Sequence, residues 1–291
     1  MVDACIRGLD TGFVALGYAK VAALGLVQGV TELMPISSTA HMRIVPALLG
    51  WTDPGSAFSA SMQLAALAAV VTYFWRDVRD LVFGSLSALK RRDFSDWYLR
   101  FSIWIVLATI PIGIVGLALS KVLNSCHSPF RSLTVIGVSC LVMGLLLALA
   151  EARAKHKRTI DDVSLADAMI VGVAQVGALV PGVSRSGATL TAALSLGLQR
   201  DEAARFSFLL GLPAITLAGL KELYELHKVG LPAHGWAILA VGVIVGSVSA
   251  FVGIWGLMRI LERFSAWPFV LYRILLGLLL LGGVGLGLLA N

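Results

Sequence analysis

Two short polar segments interrupt the long apolar stretches of this sequence, and the first is residues 28–41, Gln-Gly-Val-Thr-Glu-Leu-Met-Pro-Ile-Ser-Ser-Thr-Ala-His. Gln28 and Glu32 are four residues apart, so they share one face of a helix that Pro35 would end. Two serines follow Pro35 and can cap the next helix, on which His41 lies three residues after the second serine. This set predicts nucleophilic or acid–base chemistry, and the alternative is a capped helix with a satisfied polar cluster. The candidate residues are Gln28, Glu32, Ser37, Ser38, Thr39 and His41.

The second polar segment, residues 181–189, reads Pro-Gly-Val-Ser-Arg-Ser-Gly-Ala-Thr. Its glycines allow a sharp turn, and its hydroxyls, free N–H groups and Arg185 predict an anion cradle at a helix N-terminus. The alternative is that Arg185 pairs with Glu32 for structure alone, and the two interpretations are compatible. A cradle from one segment and a nucleophile, acid and base from the other predict phosphoryl transfer or hydrolysis on an amphiphile. The candidate cradle residues are Ser184, Arg185, Ser186, Gly187 and Thr189.

Several common phosphate-handling motifs are missing from the sequence. There is no GxxxxGK[ST] loop for ATP and no Cys-x5-Arg phosphatase loop. Ser184-Arg185 begins like the Ser-Arg-x5-His signature of phosphatidic-acid-type phosphatases, but Thr191 stands where that signature needs its histidine. That family is therefore excluded.

The composition predicts the setting of these segments. The 291 residues are 58% hydrophobic and 14% charged, with a mean hydropathy of +0.87. Soluble domains carry about 25% charged residues, so a soluble enzyme, a disordered protein and a nucleic-acid binder are excluded. The apolar runs lack the alternation of outer-membrane strands, so we expect an all-α polytopic membrane protein. Six spans are predicted, at residues 58–75, 101–119, 132–150, 206–220, 236–258 and 268–290.

Basic residues predict the orientation of these spans. The spans 101–119 and 132–150 form a hairpin, so the basic clusters that flank it lie on one side, which the positive-inside rule makes cytoplasmic. The segments 12–49 and 165–198 are each broken by a proline, and we expect both to be re-entrant, the first from the external side. Both termini are then external. The clusters are Arg76, Arg79, Lys90, Arg91, Arg92 and Arg100, then Arg153, Lys155, Lys157 and Arg158.

The two halves of the chain, about 12–150 and 165–290, show the same order of parts within one membrane domain, 1–291. Each half is a broken segment followed by three spans. Because three is an odd number, the second half crosses the membrane in the opposite direction to the first. Gly-Leu-Val-Gln28 recurs as Gly-Val-Ala-Gln175. We therefore predict an inverted-topology repeat of six spanning helices and two re-entrant helix pairs, an architecture that places binding sites near the midplane.

The two motifs resemble those of the undecaprenyl-diphosphate phosphatase family of the bacitracin-resistance type. Its first signature, Glu/Gln-Gly-x-Thr-Glu-Phe-x-Pro-x-Ser-Ser-Thr/Ser-Gly-His, is similar to residues 28–41, and its second, Pro-Gly-x-Ser-Arg-Ser-Gly-x-Thr, matches residues 181–189 throughout. Similarity also covers Phe58 to Gln63 and the pair Tyr272-Arg273. Three departures are Gln28, where many members have Glu, Leu33-Met34, which replaces Phe-Leu, and Ala40, which replaces a glycine.

The resemblance implies hydrolysis of undecaprenyl diphosphate to the monophosphate and phosphate at the external face of a bacterial inner membrane. This reaction recycles the lipid carrier of peptidoglycan synthesis and confers bacitracin resistance. It also implies a divalent cation, Mg²⁺ or Ca²⁺, held by Glu32 with Gln28. The catalytic positions implied are Glu32, Ser38, His41 and Arg185, the diphosphate-binding ones Ser37, Thr39, Ser184, Ser186, Gly187 and Thr189, and the supporting ones Gln28 and Gln63.

Some alternatives remain open at the level of sequence. In one mechanism, Ser38 attacks the phosphorus and His41 is its base. In the other, either Glu32 or His41 activates a water molecule that attacks directly. A lipid transporter or flippase is the second hypothesis, because inverted repeats with a midplane anion site also build transporters. The Gly-rich stretch 277–287 fits packing within the fold or in a homodimer equally well. The sequence also leaves open whether Cys5 and Cys126 form a disulfide.

Overall fold

The computed structural model describes residues 5–6, 9–123 and 129–289, and its architecture is helical apart from one short antiparallel hairpin, β1 (Cys5–Ile6) with β2 (Leu9–Asp10). Cys126 and both chain ends lie outside the described residues. The helices are α1 (Phe13–Leu33), α2 (Ser38–Leu48), α3 (Ser56–Ser61), α4 (Gln63–Tyr73), α5 (Trp75–Arg91), α6 (Trp97–Ala118), α7 (Ser120–Leu123), α8 (Leu133–Arg153), α9 (Leu165–Val176), α10 (Arg185–Ser195), α11 (Arg200–Lys228), α12 (Ala233–Arg263) and α13 (Trp267–Gly285).

The long apolar helices make this an all-α polytopic membrane protein. Seven helical stretches of the described chain are long and apolar enough to cross a membrane. Six of them coincide with the six predicted spans, the first being α3 and α4 together. The seventh is α1, which lies in the segment predicted to be re-entrant. Its helix is interrupted at Gly17, whose φ of 73° lies in the left-handed region that favours glycine.

Helix α5 was not predicted, because the sequence after Trp75 was interpreted only as a polar stretch that carries a basic cluster. The chain there is a 17-residue amphipathic helix. Its apolar side chains Val82, Phe83, Leu86 and Leu89 are exposed in the protein alone. A helix with one apolar and one basic face is typical of the membrane–water interface.

Each broken segment begins and ends at one place in the fold. In the first, the amide of Phe13 donates to the carbonyl of Pro54 at 2.8 Å. In the second, the amide of Arg158 donates to the carbonyl of Gly197 at 3.1 Å, and Gln199 donates back to Arg158 at 2.8 Å. The chain therefore returns beside its entry point in both segments.

Glycines bring the broken segments close to helices of the opposite half. Helix α1 packs along α12, and a Cβ on Gly25 would lie 2.7 Å from the carbonyl oxygen of Gly242. Helix α9 packs along α6, and a Cβ on Gly172 would overlap the carbonyl oxygen of Ala108. In the glycine-rich stretch of α13, Gly277 packs within the fold, where a Cβ would lie 2.8 Å from the carbonyl oxygen of Gly137 in α8.

Candidate active site

Both breaks are built in the same way. Before Pro35, the backbone of Met34 is extended (φ −73°, ψ 144°), the conformation that a following proline favours, and it ends α1. Ser37 then caps α2 with a φ of 72°, and its Oγ accepts from the amide of Ala40. In the second half Ser184 caps α10 with a φ of 70°. Ser37 and Ser184 thus act as caps, and their matching left-handed backbones set the direction of the two short helices.

The turns at the two breaks, residues 34–39 and 180–186, form the tips of the broken segments. These tips are hydrogen-bonded to each other. The Oγ1 of Thr39 accepts from the amide of Gly182 at 3.3 Å. The Oγ of Ser186 reaches the carbonyl oxygens of Glu32 at 3.2 Å and Met34 at 3.0 Å. Ser186 was predicted to bind phosphate, but in this geometry its hydroxyl joins the two segments.

Arg273 of α13 donates hydrogen bonds to both tips and is fully buried. Its Nη1 donates to the carbonyl of Pro35 at 3.0 Å, and its Nη2 donates to those of Gly182 at 2.8 Å and Val183 at 2.9 Å. A Cβ on Gly187 would lie 2.8 Å from Nη1 of Arg273, so this glycine makes room for the guanidinium.

The carboxylate of Glu32 is the centre of the polar cluster. Its Oε2 accepts from Gln28 Nε2 at 2.8 Å and from Ser38 Oγ at 2.5 Å. Its Oε1 accepts from Gln63 Nε2 at 3.1 Å and from Arg185 Nη2 at 3.5 Å. Because Ser38 donates to a carboxylate, its hydroxyl is oriented for loss of its proton to Glu32.

Arg185 is the first residue of α10, and its side chain is only 11% exposed. Helix α11 passes directly behind it, where a Cβ on Gly211 would overlap Nη1 of the guanidinium. Thr189, another predicted cradle residue, lies one turn further along α10 and donates to the backbone carbonyl of Arg185 at 2.8 Å. Thr189 therefore bonds within its own helix.

His41 lies beside this cluster and has both ring nitrogens engaged. Nδ1 is 2.7 Å from the carbonyl oxygen of Ser37, so it carries the proton and donates. Nε2 is then the acceptor for the hydroxyl of Tyr272, at 2.6 Å, and the two rings are stacked. In this arrangement His41 links α2 to α13 and fixes the Ser37 turn.

A cavity of about 280 Å³ opens at the cluster. It adjoins a groove of about 380 Å³ whose lining is mostly apolar and comes from α3, α6 and α11. The cavity and the groove share Ala60, Ile112, Leu179, Ala214 and Ala218. A polar pocket that continues into an apolar groove fits an amphiphile. The predicted site residues that line the cavity are Glu32, Ser38, Thr39, Gln63, Ser184 and Arg185.

Comparison with known proteins identifies the family. The family model described as bacitracin resistance protein BacA matches residues 21–279. The chain belongs to this family. It is 75% identical over 264 residues to "Undecaprenyl-diphosphatase 2" of Mesorhizobium japonicum, an alignment that covers 91% of this chain and 100% of the relative. It is 48% identical to "Undecaprenyl-diphosphatase" of Gloeobacter violaceus (95% of each chain) and 46% identical to that of Trichormus variabilis (96% and 88%). All the residues of the cluster lie within the matched range.

The residues around Glu32 fit a divalent cation only if other ligands come with it. No group of three or more His, Cys, Asp or Glu side chains suitable for a metal occurs in the described part of the chain. The Oε1 of Gln28, however, is buried beside Glu32 and has no partner among the described residues. Magnesium is commonly held by one or two carboxylates together with substrate phosphates, so Glu32 and Gln28 fit a cation that phosphate oxygens also bind.

The role of Arg273 was missed at the level of sequence. Arg273 was named there only within the pair Tyr272-Arg273, although a charge inside a predicted span is by default a functional signal. Its partners are backbone carbonyls of both broken segments, which no spacing within the sequence predicts. The signal was therefore present, but its meaning depends on how the segments meet.

Proposed function

We propose that this protein hydrolyses undecaprenyl diphosphate to undecaprenyl phosphate and inorganic phosphate, and so recycles the lipid carrier for peptidoglycan synthesis. The observation that carries this proposal is the polar cavity around Glu32 and Arg185, which continues into an apolar groove. The diphosphate fits the polar end and the isoprenoid tail fits the groove. Membership of the bacitracin-resistance family and the names of the relatives support the same substrate and explain resistance to that antibiotic.

Ser38 is the nucleophile in the mechanism that the geometry favours. Its Oγ forms a bond to the terminal phosphorus, and its proton passes to Glu32 Oε2, at 2.5 Å. The bond from that phosphorus to the bridging oxygen breaks, and the lipid monophosphate leaves. Water then hydrolyses the phosphoserine. Arg185 stabilises the charge on the phosphate oxygens during both steps.

Glu32 rather than His41 is the base in this mechanism, because both ring nitrogens of His41 are engaged elsewhere. The role of His41 as a base stays a prediction from the sequence. The ring more readily holds the Ser37–Ser38 turn against Tyr272, so that the hydroxyl of Ser38 points at Glu32.

A divalent cation, Mg²⁺ or Ca²⁺, would be held by Glu32 and Gln28 together with the diphosphate. It would supply positive charge that offsets the charge on the phosphate oxygens. Residues around it keep their own roles: Gln63 orients Glu32 Oε1, and Ser184 and Thr39 line the cavity.

The membrane arrangement we propose has six spanning helices and two re-entrant pairs, α1 with α2 and α9 with α10. The meeting of Phe13 with Pro54 and of Arg158 with Gly197 supports it. So does length: residues 18–33, after the break at Gly17, reach about 24 Å at 1.5 Å per residue, less than the ~30 Å hydrocarbon core. The site then opens to the external side of a bacterial inner membrane, with both termini external.

The test is phosphate release from a long-chain isoprenyl diphosphate by the detergent-purified protein, with and without EDTA. We expect release that EDTA abolishes and that Mg²⁺ or Ca²⁺ restores. Phosphate release that continues in EDTA would contradict the proposed need for a divalent cation. No release under any of these conditions would contradict the enzyme and favour a transporter.

Ser38→Ala tests the covalent route in the same assay. We expect turnover to fall by about a thousandfold or more, because loss of a nucleophile leaves only binding and charge stabilisation. Acid-quenched wild-type protein should carry phosphate on Ser38, as detected by mass spectrometry. Full activity of Ser38→Ala would contradict the covalent route, and direct attack by water would then be the mechanism.

A further inference from the structure

A second arginine lines the cavity that contains Glu32 and Ser38. It is Arg131, the last residue of a short 3-10 turn, Pro129–Arg131, that precedes α8. Arg131 is far in sequence from both polar segments, and no sequence pattern singled it out. The ionisable residues of the cavity lining are therefore one carboxylate, Glu32, and two arginines, Arg131 and Arg185.

An aspartate in the loop after α2 holds Arg131 in place. Both carboxylate oxygens of Asp53 lie 2.9 Å from Nη2 of Arg131. Asp53 also accepts from Nη1 of Arg43 at 2.9 Å and from the amide of Gly55 at 2.9 Å. Because Asp53 is shared between two guanidinium groups, it neutralises neither of them fully.

A second acid, Asp10, lies near this network and interacts with both Asp53 and Arg131. Burial, and then the nearby carboxylate of Asp53, raise the pKa of Asp10 above its usual value. Asp10 lies in β2, outside the spanning helices, and no hydrogen bond from it to Arg131 occurs among the described residues. Arg131, for its part, lines the cavity, so a phosphate bound there can contact it.

The two arginines occupy different surroundings, which assigns them different phosphates. Arg185 contacts Glu32, the partner of Ser38, so it lies beside the phosphate that Ser38 attacks. Arg131 contacts Asp53 and makes no described contact with Glu32 or Ser38. A diphosphate carries up to about three negative charges, and Arg185 paired with Glu32 does not balance them even when a divalent cation is bound.

We propose that Arg131 is a second diphosphate-binding residue, which holds the phosphate that is not attacked and remains attached to the lipid. This inference rests on the proposed hydrolysis of an isoprenyl diphosphate. It predicts that Arg131 contributes to binding of both the substrate and the lipid monophosphate product, because each contains that phosphate. Inorganic phosphate, the other product, takes the place beside Arg185 and does not contact Arg131.

The experiment compares Arg131→Gln with a matched control, Arg43→Gln. Both variants remove one positive charge from Asp53 and keep a donor, but only Arg131 lines the cavity. The KM for a long-chain isoprenyl diphosphate and the inhibition constants of isoprenyl monophosphate and inorganic phosphate are measured for each. For Arg131→Gln we expect the KM and the constant for the monophosphate to rise about 10- to 100-fold, as for loss of a charged hydrogen bond.

The other measurements separate the proposal from a structural role. The inhibition constant of inorganic phosphate should stay unchanged in Arg131→Gln. In Arg43→Gln the two lipid constants should rise much less than in Arg131→Gln, because Arg43 affects the cavity only through Asp53, whereas Arg131 lines it. Arg131→Lys keeps the positive charge but loses the guanidinium group, so its KM and its inhibition constant for the monophosphate should lie between those of the wild type and of Arg131→Gln. This variant tests the proposal if Arg131→Gln folds poorly.

Three outcomes would overturn the inference: unchanged constants in Arg131→Gln, equal changes in Arg43→Gln, or a rise confined to inorganic phosphate. These outcomes are distinct from failure of the proposed function. If the wild-type protein releases no phosphate, the function is wrong. If it does and Arg131→Gln matches it, only the inference about Arg131 is wrong.

Discussion

Arg185 is the residue on which charge stabilisation at the attacked phosphate depends. We expect Arg185→Ala to lower kcat/KM by about 100- to 1000-fold, or ~2.7–4 kcal/mol, as removal of a preorganised donor does in other active sites. Arg185→Lys should recover only part of the loss, because an ammonium cannot bind phosphate oxygens in bidentate fashion. Phosphate release gives the rates, and thermal unfolding checks that both variants fold. Wild-type kinetics in Arg185→Ala would contradict the assigned cradle.

The sequence predicted the central residues of the candidate site better than their neighbours. The approach of Glu32, Ser38 and Arg185 follows from helix spacing and from the charges of the two motifs. The contacts of Ser186 with backbone carbonyls of the other segment could not be predicted in this way, because they depend on how two distant tips meet. Arg131 was missed for the same reason.

Close helix packing can be tested at Gly172, where α9 meets α6. A Cβ at this position would overlap the backbone carbonyl of Ala108, and two helix backbones cannot yield as a flexible side chain would. We expect Gly172→Ala to destabilise the protein by about 1–3 kcal/mol, the usual cost of overpacking. The measurement is thermal unfolding in detergent, followed by circular dichroism.

Gly256→Ala in α12 is the matched control for this substitution. Nothing lies within 4 Å of a Cβ built on Gly256. Alanine should therefore leave the melting temperature unchanged or raise it, since it favours a helix by about 1 kcal/mol over glycine. Equal melting temperatures for the two variants would mean that α9 and α6 are not held in close backbone contact.

At the scale of elements, the hydropathy pattern predicted as spans six of the seven helical stretches of the described chain that are long and apolar enough to cross a membrane, because long apolar runs leave few other structures there. It failed at α5, where arginines and aspartates lower the mean hydropathy. Apolar residues at helical spacing, such as Val82 and Leu86, were the signal in the sequence that indicates an amphipathic helix. The break at Gly17 was also missed, since a single glycine within an apolar run carries no distinctive pattern.

Across the whole molecule, the two halves exchange contacts in a consistent way. Helix α1 of the first half packs on α12 of the second, and α9 of the second half packs on α6 of the first. Helices α8 and α13, the last of each half, pack on each other. Such an exchange is what two inverted copies of one unit would produce, and it brings the tips of the broken segments together around Arg273.

The proposed re-entrant orientation of the second broken segment can be measured with single cysteines. Lys155 precedes the segment and Ser195 ends α10, so a re-entrant segment leaves both on one side, which the basic clusters make cytoplasmic. Leu49, exposed at the end of α2, should lie on the external side. The native cysteines are replaced first, and an impermeant maleimide is applied to intact and to permeabilised cells. We expect Leu49→Cys to be labelled in intact cells, and Lys155→Cys and Ser195→Cys only after permeabilisation. Labelling of Ser195→Cys but not Lys155→Cys in intact cells would make the segment a span and remove the inverted repeat.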